Sequence, residues 1–269
     1  MKKILLYTLF IPFFAAFTAC NETTDADNPF AYPDGMGGLH LENNTSTQIT
    51  IPVITKSANF DDVVVDNFYL GILNKADGSV VKEFDTFSSL VNSEEGLPLL
   101  LPHGEYTTIS SSFKKGEKKV SDAPYFVDQQ DFVIEEKTTT NVVLKCTFES
   151  LGVELVLSEQ FKKKLEEAPD NYGYEVTVSN GVADWDFSID KMEPGYFLDP
   201  CDELVVKVRV RLGSSNQWHP ERTYRIKNDL NNPETSPKLG EYYIIRLDAG
   251  KEEEKVILKS LVVTDKVEE

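Results

Sequence analysis

Two H-x-E triplets, His103-Gly-Glu105 and His219-Pro-Glu221, come nearest in this sequence to a catalytic spacing. Each imitates the half of a zinc deaminase in which a histidine holds the metal and a glutamate moves protons, and Pro200-Cys201 imitates the start of its P-C-x-x-C half. The second cysteine is missing, because Leu204 stands in its place. With His40 as the third and last histidine and no H-E-x-x-H, no metal centre is expected. There is no G-x-S-x-G, P-loop or G-x-G-x-x-G either. Among 45 acidic residues a glycosidase pair can always be drawn, so their number argues for nothing. Asp61, Asp62 and Asp66 lack the EF-hand spacing and read as an ordinary acidic loop. The expectation is a non-enzyme with no catalytic residues. What remains is recognition by flat aromatic faces, for which Trp185, Trp218, Tyr242 and Tyr243 are the candidates for sugar rings. Trp185 alternates with Phe187 and Ile189, the mark of a core residue. Trp218 lies in the polar loop Gly213–Pro220 and is the expected exposed contact.

Cys20 is the one side chain whose surroundings prescribe a reaction. Lys2 and Lys3 give a basic start, Ile4 to Phe17 form an apolar run, and Thr18 and Ala19 are small, which is the layout of a cleaved export signal over residues 1–19. The run is too short to span a bilayer, and no later stretch approaches the roughly 20 apolar residues a helical span needs. Phe17-Thr18-Ala19-Cys20 resembles a bacterial lipoprotein signal, with Phe17 where leucine is usual. The resemblance implies a Cys20 thiol diacylated before cleavage, and no other cofactor. Residues 20–36 are rich in Asn, Thr, Asp and Pro without apolar periodicity, as in a flexible tether. Glu22, Asp25 and Asp27 stand close behind the cysteine, where acidic residues direct display on the outer face in some outer-membrane systems. The expected location is therefore the outer membrane, lipid-anchored and exposed on the cell surface.

Losing Lys2 and Lys3 with the signal leaves 25 of the 27 basic residues against 45 acidic ones, so the formal charge moves from −18 to −20. A body of this sign repels nucleic acid and anionic headgroups, so nucleic acid is not an expected partner and contact with the membrane rests on the lipid. Two further cysteines, Cys146 and Cys201, are too few for a disulfide scaffold. The exported location permits one bond between them, and the other reading is two small buried apolar residues.

The elements that must position these residues are nearly all strand-like. Leu39–Leu41, Gln48–Thr55, Asn67–Asn74, Ser79–Glu83, Glu105–Phe113, Asp131–Glu135 and Thr138–Thr147 are short runs rich in β-branched and aromatic residues, at the spacing of a β-sandwich. Asp77-Gly78 is a hairpin turn, Pro102-His103-Gly104 a second turn, and Lys114–Lys119 a charged loop. A second unit begins near Phe148. Ser158 caps the one expected helix, Glu159–Glu167, with Phe161 and Leu165 on one face and Pro169 ending it. Leu204–Leu212 has the clearest alternation, with Val206, Val208 and Val210 on one side and Lys207, Arg209 and Arg211 on the other. Thr223–Lys227, Gly240–Leu247 and Lys255–Val263 follow. The fold expected is all-β: two consecutive β-sandwiches, residues 37–147 and 148–269, the second with one short helix.

Leu101-Pro-His-Gly-Glu-Tyr106, Ala123-Pro-Tyr-Phe126 and Val142-Val-Leu-Lys-Cys146 to Leu155 resemble the LPxGxY, PYF and VxCxL motifs of an uncharacterised family of Bacteroidota surface lipoproteins. More distantly, an anchor followed by two sandwiches is similar to the fimbrillins, whose transthyretin-like subunits polymerise by β-strand addition after a cut behind an arginine. The first arginine here is Arg209, and Lys56 is the only lysine or arginine between Cys20 and Lys75. Lys56 is thus the candidate processing point, releasing residues 20–56, and its other reading is a gatekeeping surface charge. These resemblances imply an anchored surface lipoprotein for adhesion or fimbria-like assembly, with fimbrial or other surface subunits as partners and Lys255–Val263 as the inserted strand. The alternative is a surface glycan-binding lipoprotein in polysaccharide uptake, with Trp218 as its contact.

Overall fold

The computed structural model describes residues 32–45, 60, 63–211, 217–227, 237–249 and 256–264, with backbone only for 227, 249 and 256–264. Cys20, Lys56, Asp61, Asp62 and the run Gln48–Thr55 lie outside the described residues.

The first unit is built from β1 (Met36–Thr45), β2 (Tyr69–Asn74), β3 (Val80–Phe84), α1 (Phe87–Val91), β4 (Leu99–Pro102), β5 (Gly104–Ser111), the two-residue β6 (Val120–Ser121), β7 (Phe126–Ile134) and β8 (Thr139–Phe148). Seven of these strands hydrogen-bond in the order β3-β2-β5-β7-β8-β1-β4. The backbone ladder from β7 to β8 consists of Phe126 opposite Phe148 and Val127 opposite Thr147, and beyond it side chains of Asp128, Gln130 and Thr140 bridge the two strands. The sheet folds over at that corner, and its two halves close on one core. Strict alternation does the rest: Val142, Leu144, Cys146 and Phe148 of β8 point inward and Asn141, Val143, Lys145 and Thr147 outward. Facing them are Leu39 and Leu41 of β1, Leu70 and Ile72 of β2, Leu99 and Leu101 of β4, and Phe132 and Ile134 of β7. Helix α1 plugs the edge with Phe87 and Leu90, started by a capping box between Thr86 and Ser89.

The second unit comprises β9 (Leu151–Leu157), α2 (Glu159–Glu167), β10 (Gly173–Ser179), β11 (Asp184–Phe187), β12 (Gly195–Phe197), β13 (Glu203–Arg211), β14 (Arg222–Lys227), β15 (Tyr242–Ala249) and β16 (Val256–Thr264). One sheet runs β11-β10-β13-β14 and the other β16-β15-β9-β12-β6. Between them lie Leu151, Val153, Leu155, Val176, Val178, Trp185, Phe187, Val206, Val208 and Tyr243. Helix α2 closes one end: the Ser158 hydroxyl accepts from the Phe161 N–H at 3.2 Å, and Phe161 is fully buried. The chain is therefore an all-β protein of two consecutive β-sandwiches.

Only Glu149 and Ser150 separate β8 from β9, and the sandwiches are joined by far more than this linker. A third cluster of Phe60, Phe68, Phe126, Cys146, Phe148, Tyr196, Tyr242 and Ile244 fills the space between them. Phe60 packs edge-on to Phe126 at 5.3 Å and tilted against Phe148 at 5.2 Å. The charged loop Lys114–Lys119 forms a strap. Lys115 Nζ donates to the Leu198 carbonyl at 2.7 Å, Lys115 and Lys119 pair with Asp199 at 3.3 and 3.0 Å, and β6 adds itself to β12 of the second unit. Lys119 and then Lys115 hold the Asp199 carboxyl below its ordinary range by hydrogen bonding and charge.

Several expectations are corrected by this packing. Tyr242 and Tyr243 are no sugar platform: they are 3% and 0% exposed, one in the cluster between the sandwiches and the other in the second core. The turn expected at Pro102-His103-Gly104 narrows to His103, since β4 ends at Pro102 and Gly104 already opens β5, opposite Ile134. The corner is tied by Tyr106, whose hydroxyl donates to the Pro102 carbonyl at 2.8 Å while its ring stacks on Phe132. The strand expected at Lys255–Val263 is β16, which pairs with β15 of its own chain.

Candidate functional site

The strand directions decide which surface is farthest from the start of β1. β1 and β8 run parallel, from Gly38 opposite Thr139 to Thr45 opposite Cys146. β1 thus starts at one end of the first sandwich, and β8 delivers the chain to the second sandwich at the other end, a strand length of about 30 Å away. From there β9 runs outward to α2, β10 returns from Gly173, and β13, antiparallel to β10, runs outward again to Arg211. Asp199, just before β13, sits on the strap at the near end. Arg211, Gly173 and the residues after α2 form the far end.

Trp218 lies there. It bridges to Arg211 from the side opposite β10, and the His219 N–H donates to the Val210 carbonyl at 2.8 Å. From this position the indole crosses β13 and reaches Gly173 of β10, where a Cβ would just touch it. The Arg209 guanidinium lies 4.9 Å and that of Arg211 5.5 Å from the ring centroid, a cation–π arrangement. Trp218 is half-buried rather than standing free in its loop. Arg209 also pairs with Glu175 at 3.4 Å. Arg211 makes no ion pair among the described residues: its Nη2 donates to the carbonyls of Pro169 at 3.0 Å and Tyr172 at 3.4 Å, and its buried Nε has no acceptor. Lys207, two residues before Arg209 on the same side of β13, is exposed and likewise makes no ion pair among the described residues.

Sequence reasoning named Trp218 and placed Lys207, Arg209 and Arg211 on one side of a strand, but did not bring them together. A signal existed: the chain has five arginines, none before Arg209, and four of them fall within Arg209–Arg225. The other chemical candidates stay apart. His103 and Glu105 lie at the end where β1 starts, beside Asn74 and Lys75, where Lys75 pairs with Glu105 and Asp131. Trp185 is in the second core with its indole N–H donating to the Glu193 carbonyl and Lys191 over its ring. No group of three or more metal-ligating side chains occurs among the described residues, and no helix among them is long and apolar enough to cross a membrane.

Cys146 and Cys201 are both free thiols. Cys146 is fully buried in the cluster between the sandwiches, its thiol 3.5 Å from the Ser110 carbonyl, whereas Cys201 packs against the second core. Burial pushes each thiol up to about 11, which suppresses the reactive thiolate at neutral pH. In the folded protein at pH 8, iodoacetamide is expected to leave Cys146 unmodified and to reach both thiols only after unfolding. A mass lower by two hydrogens that reduction restores would show a bridge instead.

Among solved structures, the fold is similar to a fimbrial assembly protein from Parabacteroides distasonis (14% identity, TM-score 0.43, 86% of this chain and 95% of that one). It is similar also to a candidate cell adhesion protein from Bacteroides fragilis (8% identity, TM-score 0.44, 86% and 98%). A third similar structure is a candidate polysaccharide-binding protein from Bacteroides thetaiotaomicron (11% identity, TM-score 0.42, 86% and 98%). No curated protein matches the chain. A family profile matches residues 35–266, nearly the whole of both sandwiches, and on that match the chain belongs to the family of the Domain of unknown function (DUF4493).

Proposed function

We propose that this is a non-enzymatic lipoprotein of the outer membrane, anchored through acylated Cys20 and presenting its second sandwich outward for adhesion. The observation that supports this reading is the placement of β1. The first strand behind the tether is an inner strand of its sheet, parallel to β8 and antiparallel to β4, with Leu39 and Leu41 in the core. An anchor attached to such a strand holds a finished fold, and the second sandwich is carried at the end away from the membrane. Release of residues 20–56 after Lys56 would remove that strand, so the anchored form is preferred to a shaft subunit polymerising by strand addition.

The test is the intact mass of the protein extracted from its native membrane. A chain starting at Cys20 with acyl groups attached is the expected result. A chain starting at Ser57 would overturn it in favour of fimbria-like assembly.

The half-exposed indole of Trp218 at the far end favours a second reading, a surface glycan-binding lipoprotein serving polysaccharide uptake. Under it, the same anchoring holds and the far end is the binding face.

A further inference from the structure

The outward face of β13 carries Lys207, Arg209 and Arg211 in succession, ending beside Trp218, in a protein whose formal charge is −18. An acidic protein has many reasons to scatter lysines among its carboxylates, but few to stack two guanidinium groups on one half-exposed indole. Arg209 and Arg211 are both held in place by hydrogen-bonding neighbours. Arg211 is fixed by the Pro169 and Tyr172 carbonyls, and the indole edge rests beside Gly173. Neither contact neutralises its charge, and Lys207 adds a second cation without a carboxylate partner among the described residues on the same side of β13. Glu175, at 3.4 Å from Arg209, is the one carboxylate paired within this group. The result is a partly exposed indole with two guanidinium groups against its ring.

We infer that Trp218, Arg209, Arg211 and Lys207 form a binding face for an acidic sugar unit of a polysaccharide, the pyranose ring lying on the exposed part of the indole and its anionic group taken by the cations beside it. The inference rests on the glycan-binding reading above and narrows it to acidic glycans. Ring stacking supplies affinity that does not depend on charge, and the guanidinium groups, weakly hydrated and planar, suit a carboxylate. The strongly negative remainder of the protein repels a polyanion, so attraction is confined to this end and weakens with salt.

The test passes the full chain, extracted in a neutral detergent, over polygalacturonate, dextran sulfate and dextran on beads. Retention on polygalacturonate and not on dextran is expected, with affinity falling about tenfold for Trp218→Ala and again for Arg209→Ala, each checked for an unchanged unfolding midpoint. Retention on dextran sulfate alone would overturn the inference in favour of plain charge attraction. Retention of both variants undiminished from the wild type would overturn it by placing binding elsewhere. Equal retention of the wild type on dextran would overturn the acidic preference while leaving the glycan reading standing, and no retention on any of the three would sink both.

Discussion

Phe126→Ala is expected to cost about 3–5 kcal/mol and to split the unfolding of this protein into two steps. Phe126 is fully buried and touches Phe60 at 5.3 Å, Phe148 at 5.7 Å and Phe68 at 6.4 Å. It stands at the corner where the first sheet folds over, and its cluster continues into Tyr196 and Tyr242 of the second sandwich. Its loss therefore loosens the first sandwich and the joint at once, whereas a truncation deep in either core leaves the joint intact. Against a total stability of about 5–15 kcal/mol for a typical domain, such a loss is large. The measurement exploits an accident of sequence: both tryptophans, Trp185 and Trp218, belong to the second sandwich. Tryptophan fluorescence follows that unit alone, while far-ultraviolet circular dichroism follows both. In urea the two probes should coincide for the wild type and separate for Phe126→Ala. Coincident curves with an unmoved midpoint in the variant would mean that the aromatic cluster couples nothing.

The parts of this fold that were legible in the sequence are those written locally. β8 and β13 alternate strictly, and each buries the face its pattern names. Ser158 and Pro169 bracket α2 by cap chemistry and by the helix-breaking ring. Tyr242-Tyr-Ile-Ile245 carried its signal too, but that signal was misread. An unbroken apolar run marks a strand buried on both faces, and β15 has the second core on one side and the joint between the sandwiches on the other. The strap was not legible. Lys115 and Lys119 look like ordinary solvated charges until Asp199, more than 80 residues on, is brought beside them by β6 pairing with β12. The candidate site failed to show for a related reason. The outward face of β13 reads as plain solvent-facing charge, and only the return of the chain at Trp218, reaching across to Gly173, turns it into a surface with a shape.

The parallel pairing of β1 with β8 was equally invisible, since it joins residues about a hundred positions apart, and it underlies the second large effect. A chain lacking residues 20–56 should fail to form the first sandwich. β1 bonds to β8 from Gly38 to Thr45 and to β4 from Met36 to Leu39, so its removal leaves two strands without the partner they share. It also takes away Leu39 and Leu41, 0% and 2% exposed, each worth about 2–5 kcal/mol by the cost of truncating a buried leucine. Together with the lost ladder this rivals the whole stability of the unit. The chain of residues 57–269 is expected to lose strand signal in circular dichroism and to aggregate through the bared edges of β8 and β4, and a synthetic peptide of residues 36–45 is expected to restore both signal and solubility. A monodisperse 57–269 chain with an undiminished midpoint would make β1 dispensable. Processing at Lys56 would then be compatible with a finished fold, and the anchored reading would lose its main support to the assembly reading. The expected failure has the opposite consequence: a strand that the core cannot spare ties the folded body to whatever holds the residues before it, which is what an anchor requires.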